Sequence, residues 1–136
     1  MIAGVEVRPL ELKRDERGWL TEVLRVAPGS QDSAVKQLYL TTGNPGKTKG
    51  KHYHTRKIEW FCVVRGNARL HLKDTRTGEE EIYEMGERNL KTITIPPGVA
   101  HAITNCADEP FYLLAAVNEA FNPDDPDTFP FAFPGL

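Results

Sequence analysis

Gly46-Lys47-Thr48-Lys49-Gly50-Lys51-His52-Tyr53-His54-Thr55-Arg56-Lys57-Ile58-Glu59-Trp60-Phe61-Cys62-Val63-Val64-Arg65-Gly66 is the stretch from which the fold can be read. Its spacing is glycine, five residues, His52, one residue, His54, four residues, Glu59, six residues, glycine, as one metal-binding consensus requires. Residues i and i+2 of a strand share a face, so His52 and His54 converge on one point while Tyr53 points away and packs. Glu59 must then come from the next strand. The aromatic and β-branched run from Glu59 to Val64 ends at the turn signal Arg65-Gly66-Asn67, which leads into Ala68-Arg69-Leu70-His71-Leu72.

Downstream, Pro96-Pro97-Gly98-Val99-Ala100-His101-Ala102-Ile103-Thr104-Asn105 supplies a second block in which a proline-glycine turn precedes His101. His52, His54, Glu59 and His101 are therefore nominated as a cage of three imidazoles and one carboxylate. That donor set suits a divalent transition metal, zinc first, with iron, manganese or nickel behind it. The alternative is a group of hydrogen-bonded polar residues with no metal. Three of the four histidines in the chain fall on ligand positions, which favours the metal. The fourth, His71, alternates with Leu70 and Leu72 and is either a surface or a cavity-wall residue, the surface being preferred.

Outward from these blocks, short β-type runs recur at 5–12, 19–26, 35–41, 50–55, 58–65, 68–73, 80–85, 92–95, 100–105 and 111–117. Turn-forming residues separate them, including Asp15-Glu16-Arg17-Gly18, Asn44-Pro45-Gly46, Thr77-Gly78 and Pro96-Pro97-Gly98. No segment shows a helical period. Many short strands in one small unit predict an all-β sandwich or barrel. The stretch from about residue 122 is too proline-rich for a central strand and must run over the surface. Its Phe129, Phe131 and Phe133 are expected to pack on the barrel or on a second subunit.

A chain of 136 residues that is 40% hydrophobic fits one domain, residues 1–136, with a real core. A net charge of -2 provides no basic field for nucleic acid, and no run approaches a membrane span. The first residues lack the basic start and long apolar stretch of a signal peptide, so a cytoplasmic location is expected. Cys62 and Cys106 form no disulfide framework and read as small core residues.

The two histidine blocks resemble cupin motifs 1 and 2, which selects the double-stranded β-helix, or jelly roll. The first match is complete; in the second, Leu90 stands where the family has a glycine, with Gly86 further upstream. Asp15-Glu16-Arg17-Gly18 and Lys49-Gly50-Lys51-His52-Tyr53 are similar to the nucleotide-sugar epimerase branch, the dTDP-4-dehydrorhamnose 3,5-epimerase group. The block from His52 to Gly66 and the tail from Val117 to Phe129 look more like the C-terminal cupin domain of CapF-type capsular polysaccharide enzymes. The resemblance implies a metal-bearing isomerase that epimerises a 4-keto-6-deoxy nucleotide sugar at C3, and possibly C5, through an enolate, and it implies a homodimer.

Carried over residue by residue, the resemblance makes Arg17, Glu22 and Lys49 candidates for nucleotide binding, the first two partly from a neighbouring subunit. Lysine at 49 replaces an arginine, keeping charge without a bidentate fork. Lys57 is the candidate base, because a desolvated amine beside a cation accepts protons readily. Tyr112 falls near an acid tyrosine. In the metal-free epimerases the histidine matching His52 is itself the base, oriented by an aspartate, for which Asp124, Asp125 and Asp127 are candidates. One lone pair cannot serve both metal and substrate proton, and the completeness of the metal motif assigns His52 to the metal. A 3,4-ketoisomerase, a non-catalytic metal- or sugar-binding cupin and a cupin dioxygenase are the alternatives.

Overall fold

A computed structural model of the chain describes residues 1–30 and 34–136. Among the described residues twelve strands follow one another: β1 (Glu6–Pro9), β2 (Lys13–Asp15), β3 (Gly18–Leu20), β4 (Gln37–Gly43), β5 (Thr48–Tyr53), β6 (Glu59–Arg65), β7 (Asn67–Asp74), β8 (Glu80–Gly86), β9 (Lys91–Ile95), β10 (Val99–Thr104), β11 (Phe111–Val117) and β12 (Phe129–Pro130). They build one sheet in the order β1-β9-β6-β11-β4, a second in the order β12-β5-β10-β7-β8, and the separate hairpin β2-β3. Every pairing is antiparallel. Consecutive strands from β4 to β7 and from β9 to β11 alternate between the two large sheets, the winding of a jelly roll. Among the described residues there is no helix long and apolar enough to cross a membrane.

Alternation along each strand decides what lies between the sheets. In β7, Ala68, Leu70 and Leu72 turn inward while Arg69, His71 and Lys73 turn out. With Phe61, Val63, Ile93, Ile95, Val99, Phe111 and Leu113 they form the core, and each such large side chain contributes about 1.5–3 kcal/mol by leaving water. Strand β6 is buried on both faces, because residues 21–26 lie across the outer side of Trp60.

The run expected at 19–26 is a strand only to Leu20. Beyond it, side chains rather than a ladder take the backbone carbonyls: Arg8 donates to Glu22 and Val23, and the Thr92 hydroxyl donates to Val23. The tail does run over the surface, and within it Phe129–Pro130 pairs with the edge of β5, a position that tolerates proline. Phe129 stacks on Tyr53 at a 5.4 Å centroid distance, with Phe131 edge-on to the same ring at 6.3 Å. His71 is half-buried rather than at the surface, since Phe133, Pro134 and Leu136 of the tail share a cleft with it. Cys62 is buried as expected, but Cys106 is exposed. The preceding Asn105 is anchored, its amide donating to the carbonyls of Gly43 and Glu109, and the chain turns outward after it.

Candidate metal centre

The cage is assembled from both sheets. A β-bulge sets its first member: His101 of β10 pairs with His52 of β5, while the next residue, Ala102, pairs with Gly50, so Lys51 is extra. Gly50 and Lys51 take φ values of 91° and 58°, the left-handed backbone that bulges use to re-aim a strand. A Cβ on Gly50 would stand 2.9 Å from the His101 carbonyl oxygen, so this close approach requires glycine. His54 follows on the same face. The chain then crosses to the other sheet, where Glu59 opens β6 between Ile95 and Val117. His101 enters after the Pro96-Pro97-Gly98 corner, where Gly98 has φ 81° and its amide donates to the His54 carbonyl at 2.8 Å. Leu90, the departure from the motif, has no positive φ and accepts the Leu10 amide, so no glycine is needed there.

One ligand atom from each of His52, His54, Glu59 and His101 lies within 4.8 Å of the other three. Glu59 Oε1 stands 2.7 Å from His54 Nε2 and 3.1 Å from His101 Nε2. Glu59 Oε1 and His101 Nε2 are nevertheless buried without a hydrogen-bond partner among the described residues. Close donors that face a common centre but do not bond one another fit a cation, which would satisfy them together. The Nδ1 atoms are already engaged: His54 with the Asp127 carbonyl at 2.6 Å, His101 with that of Val99 at 3.3 Å. Such contacts leave Nε2 free to bind a metal.

The protonation states of Glu59 and His52 agree. Burial pushes Glu59 up, but contacts with His101 and His54 outweigh it and hold its carboxyl well below the usual carboxylate range. Burial, followed by the charges of His101 and His54, brings His52 down to about 4. For His54, Glu59 outweighs the lowering effect of burial, and the net shift is upward. A neutral His52 beside an ionised Glu59 is ready to ligate at pH 7.

Two cavities open against the cage. One, about 300 Å³, is lined by Gln37, Tyr39, His52, His54, Lys57, Glu59, Phe121 and Thr128. The other, about 150 Å³, contains Lys49 and Thr41 beside His52, Glu59 and His101, and Tyr39 borders both. Lys57 is buried here, its ammonium 5.6 Å from the centre of the Phe121 ring. Lys49 donates to the Thr41 hydroxyl at 2.6 Å and to the Thr42 carbonyl at 3.0 Å.

The other candidates lie elsewhere. Arg17 sits at the tip of the β2-β3 hairpin, exposed and paired with Asp15 at 2.6 Å. Glu22 borders an outer cleft of about 590 Å³ that also contains Leu38 and Trp60 and touches no cage residue. Tyr112 is not brought to the cage: its neighbours Phe111 and Leu113 fill the core, so it turns outward beside Arg65. The tyrosine at the cage is Tyr39, which donates to Glu59 Oε2 at 3.3 Å. Its inward position on β4 would have been legible from alternation, had that strand's pairing with β11 been known.

Asp127, considered only as a partner for His52, engages His54 through its carbonyl instead. Its carboxylate accepts the Thr55, Arg56 and Lys57 amides at 3.0, 2.8 and 3.1 Å. Against the upward push of burial, the Thr55 hydroxyl and then these amides hold it down to about 2.

Residues 13–129 match the polysaccharide biosynthesis C-terminal domain family. The chain is 32% identical over 132 residues to SpsL, a spore coat polysaccharide biosynthesis protein of Bacillus subtilis, covering 93% of this chain and 87% of that one. It is 30% identical over 132 residues to Agl13 of Haloferax volcanii, a probable low-salt glycan biosynthesis epimerase, covering 93% and 85%. The crystal structure of the capsular polysaccharide assembling protein CapF from Staphylococcus aureus superposes with a TM-score of 0.69 at 32% identity. That likeness covers 92% of this chain and 35% of CapF, so the chain spans about a third of that protein. With the family match running through both histidine blocks and into the tail, the chain belongs to the polysaccharide biosynthesis C-terminal domain family, built on a cupin jelly roll.

Proposed function

We propose that this protein is a metal-dependent cupin isomerase that epimerises a 4-keto-6-deoxy nucleotide sugar at C3 through an enolate, in surface polysaccharide or deoxysugar biosynthesis. The observation that carries the reading is the His52-His54-Glu59-His101 cage, buried but for the half-buried His52, beside a cavity that also holds the Lys57 side chain. SpsL and Agl13, which belong to polysaccharide and glycan biosynthesis, support it.

A divalent ion, zinc by its donor set, would be held by these four side chains and would supply a Lewis acid for the 4-keto oxygen. Lys57 removes the α-proton and returns it on the other face, or shares that task with a second group. His52 stays a ligand, because its lone pair is committed to the cage. Lys49, at the mouth of the smaller cavity, supplies positive charge for the diphosphate. The exposed Arg17 and Glu22 reach no cage cavity of their own chain, which is consistent with a homodimer in which they serve the partner's site. The cytoplasm, where nucleotide sugars are made, is the proposed location.

The test is solvent-deuterium exchange with metal-replete protein and 4-keto-6-deoxy sugars linked to UDP or dTDP. Deuterium at C3 with the epimer as product is the expected result, and Lys57→Met slows it by on the order of 10²-fold. A product whose ketone has moved to C3 identifies a 3,4-ketoisomerase. No deuterium in either substrate overturns both.

A further inference from the structure

Tyr39 is a partly exposed residue of an edge strand, yet its hydroxyl reaches the buried carboxylate of Glu59. The register explains how. Tyr39 pairs with Ala115 of β11, which pairs with Phe61 of β6, a core residue two positions from Glu59. Tyr39 therefore shares the inward face with Glu59 and reaches it across β11, where the small Ala115 leaves room for the ring.

The two oxygens of Glu59 have different surroundings. Oε1 faces His54 Nε2 and His101 Nε2 and has no hydrogen-bond partner among the described residues. Oε2 accepts the Tyr39 hydroxyl. A carboxylate can bind a cation through one oxygen or both. In the second mode it occupies a position that an incoming oxygen would otherwise take.

We propose that Tyr39 is a positioning residue for the metal centre: by engaging Oε2 it holds Glu59 to coordination through Oε1 alone and keeps one position open for the substrate oxygen. The inference rests on the metal-centre reading above and extends it to a residue outside the ligand set. Tyr39 borders both cavities, so the position it protects lies where a ligand entering from either side would arrive.

The test is the infrared difference spectrum of zinc-loaded minus zinc-free protein, in which the separation between the asymmetric and symmetric carboxylate stretches reports one- or two-oxygen binding. Glu59→Gln identifies the bands. Wild type should show the wide separation of one-oxygen binding. Tyr39→Phe should narrow it, and Tyr39→Leu should do the same, which makes the result independent of how one variant packs. A wide separation unchanged in both variants, or a narrow one already in wild type, overturns the role of Tyr39 while leaving the centre intact. If zinc produces no carboxylate difference in wild type, the metal centre fails and the proposal fails with it.

Discussion

Asp127 joins the tail to the site through one side chain and one carbonyl. The carboxylate gathers three consecutive amides and the Thr55 hydroxyl, fixing the turn that carries Lys57, and the carbonyl engages Nδ1 of His54. Its φ of 47° is in a region that aspartate tolerates better than most residues. Asp127→Asn replaces one acceptor oxygen with a donor facing amide hydrogens, and denaturant unfolding should register a loss of about 1.5–3 kcal/mol. The native carboxyl is held at about 2, below its unfolded value, so its stabilisation is present above that unfolded value and lost as pH falls toward 2. The variant should lack that part of the acid dependence, which an acid titration of both proteins would resolve. The four cage residues were legible because strand alternation and turn spacing are local. Asp127 and Tyr39 were not, because each arrives through pairing between distant segments, and Asp127 acts partly through backbone that has no side-chain signature. Tyr112 illustrates the converse: its place in a β-type run says nothing of its face until Phe111 and Leu113 are seen to fill the core.

At the scale of elements, the bulge in β5 governs the cage. Without the extra Lys51, the strand past Gly50 would present its opposite face, and His52 and His54 would leave the interior. Gly50→Ala combines a left-handed φ with a contact at 2.9 Å to the His101 backbone. It should cost about 1–3 kcal/mol of stability and weaken zinc binding more than a Gly78→Ala control, whose added Cβ meets nothing; titration calorimetry and thermal melts of the two variants check this. Most strands could be read from their β-branched alternation. The β2-β3 hairpin was visible only as a turn, and β12 was hidden because proline disfavours strands everywhere except at edges. Residues 21–26 look like a strand by composition, but the side chains of Arg8 and Thr92 compete for their carbonyls. The missing glycine at Leu90 has no structural consequence, because the backbone there follows an ordinary path.

For the whole molecule, the cage ties one sheet to the other: His52, His54 and His101 come from or adjoin β5 and β10, and Glu59 comes from β6. A bound ion would therefore act as a bridge between the two layers as well as a reagent, and metal at about 1,000 times its Kd would add about 4 kcal/mol to stability. The same arrangement places the cage between the sheets, with Tyr39 at both of its openings and Lys57 at one. Metal analysis by emission spectrometry, on protein purified without chelator and then dialysed against zinc, tests the central claim most directly. Wild type should carry about one ion per chain, and His101→Ala should lose most of it. Wild-type protein that is folded yet retains no metal after exposure to zinc, iron, manganese or nickel would contradict the account.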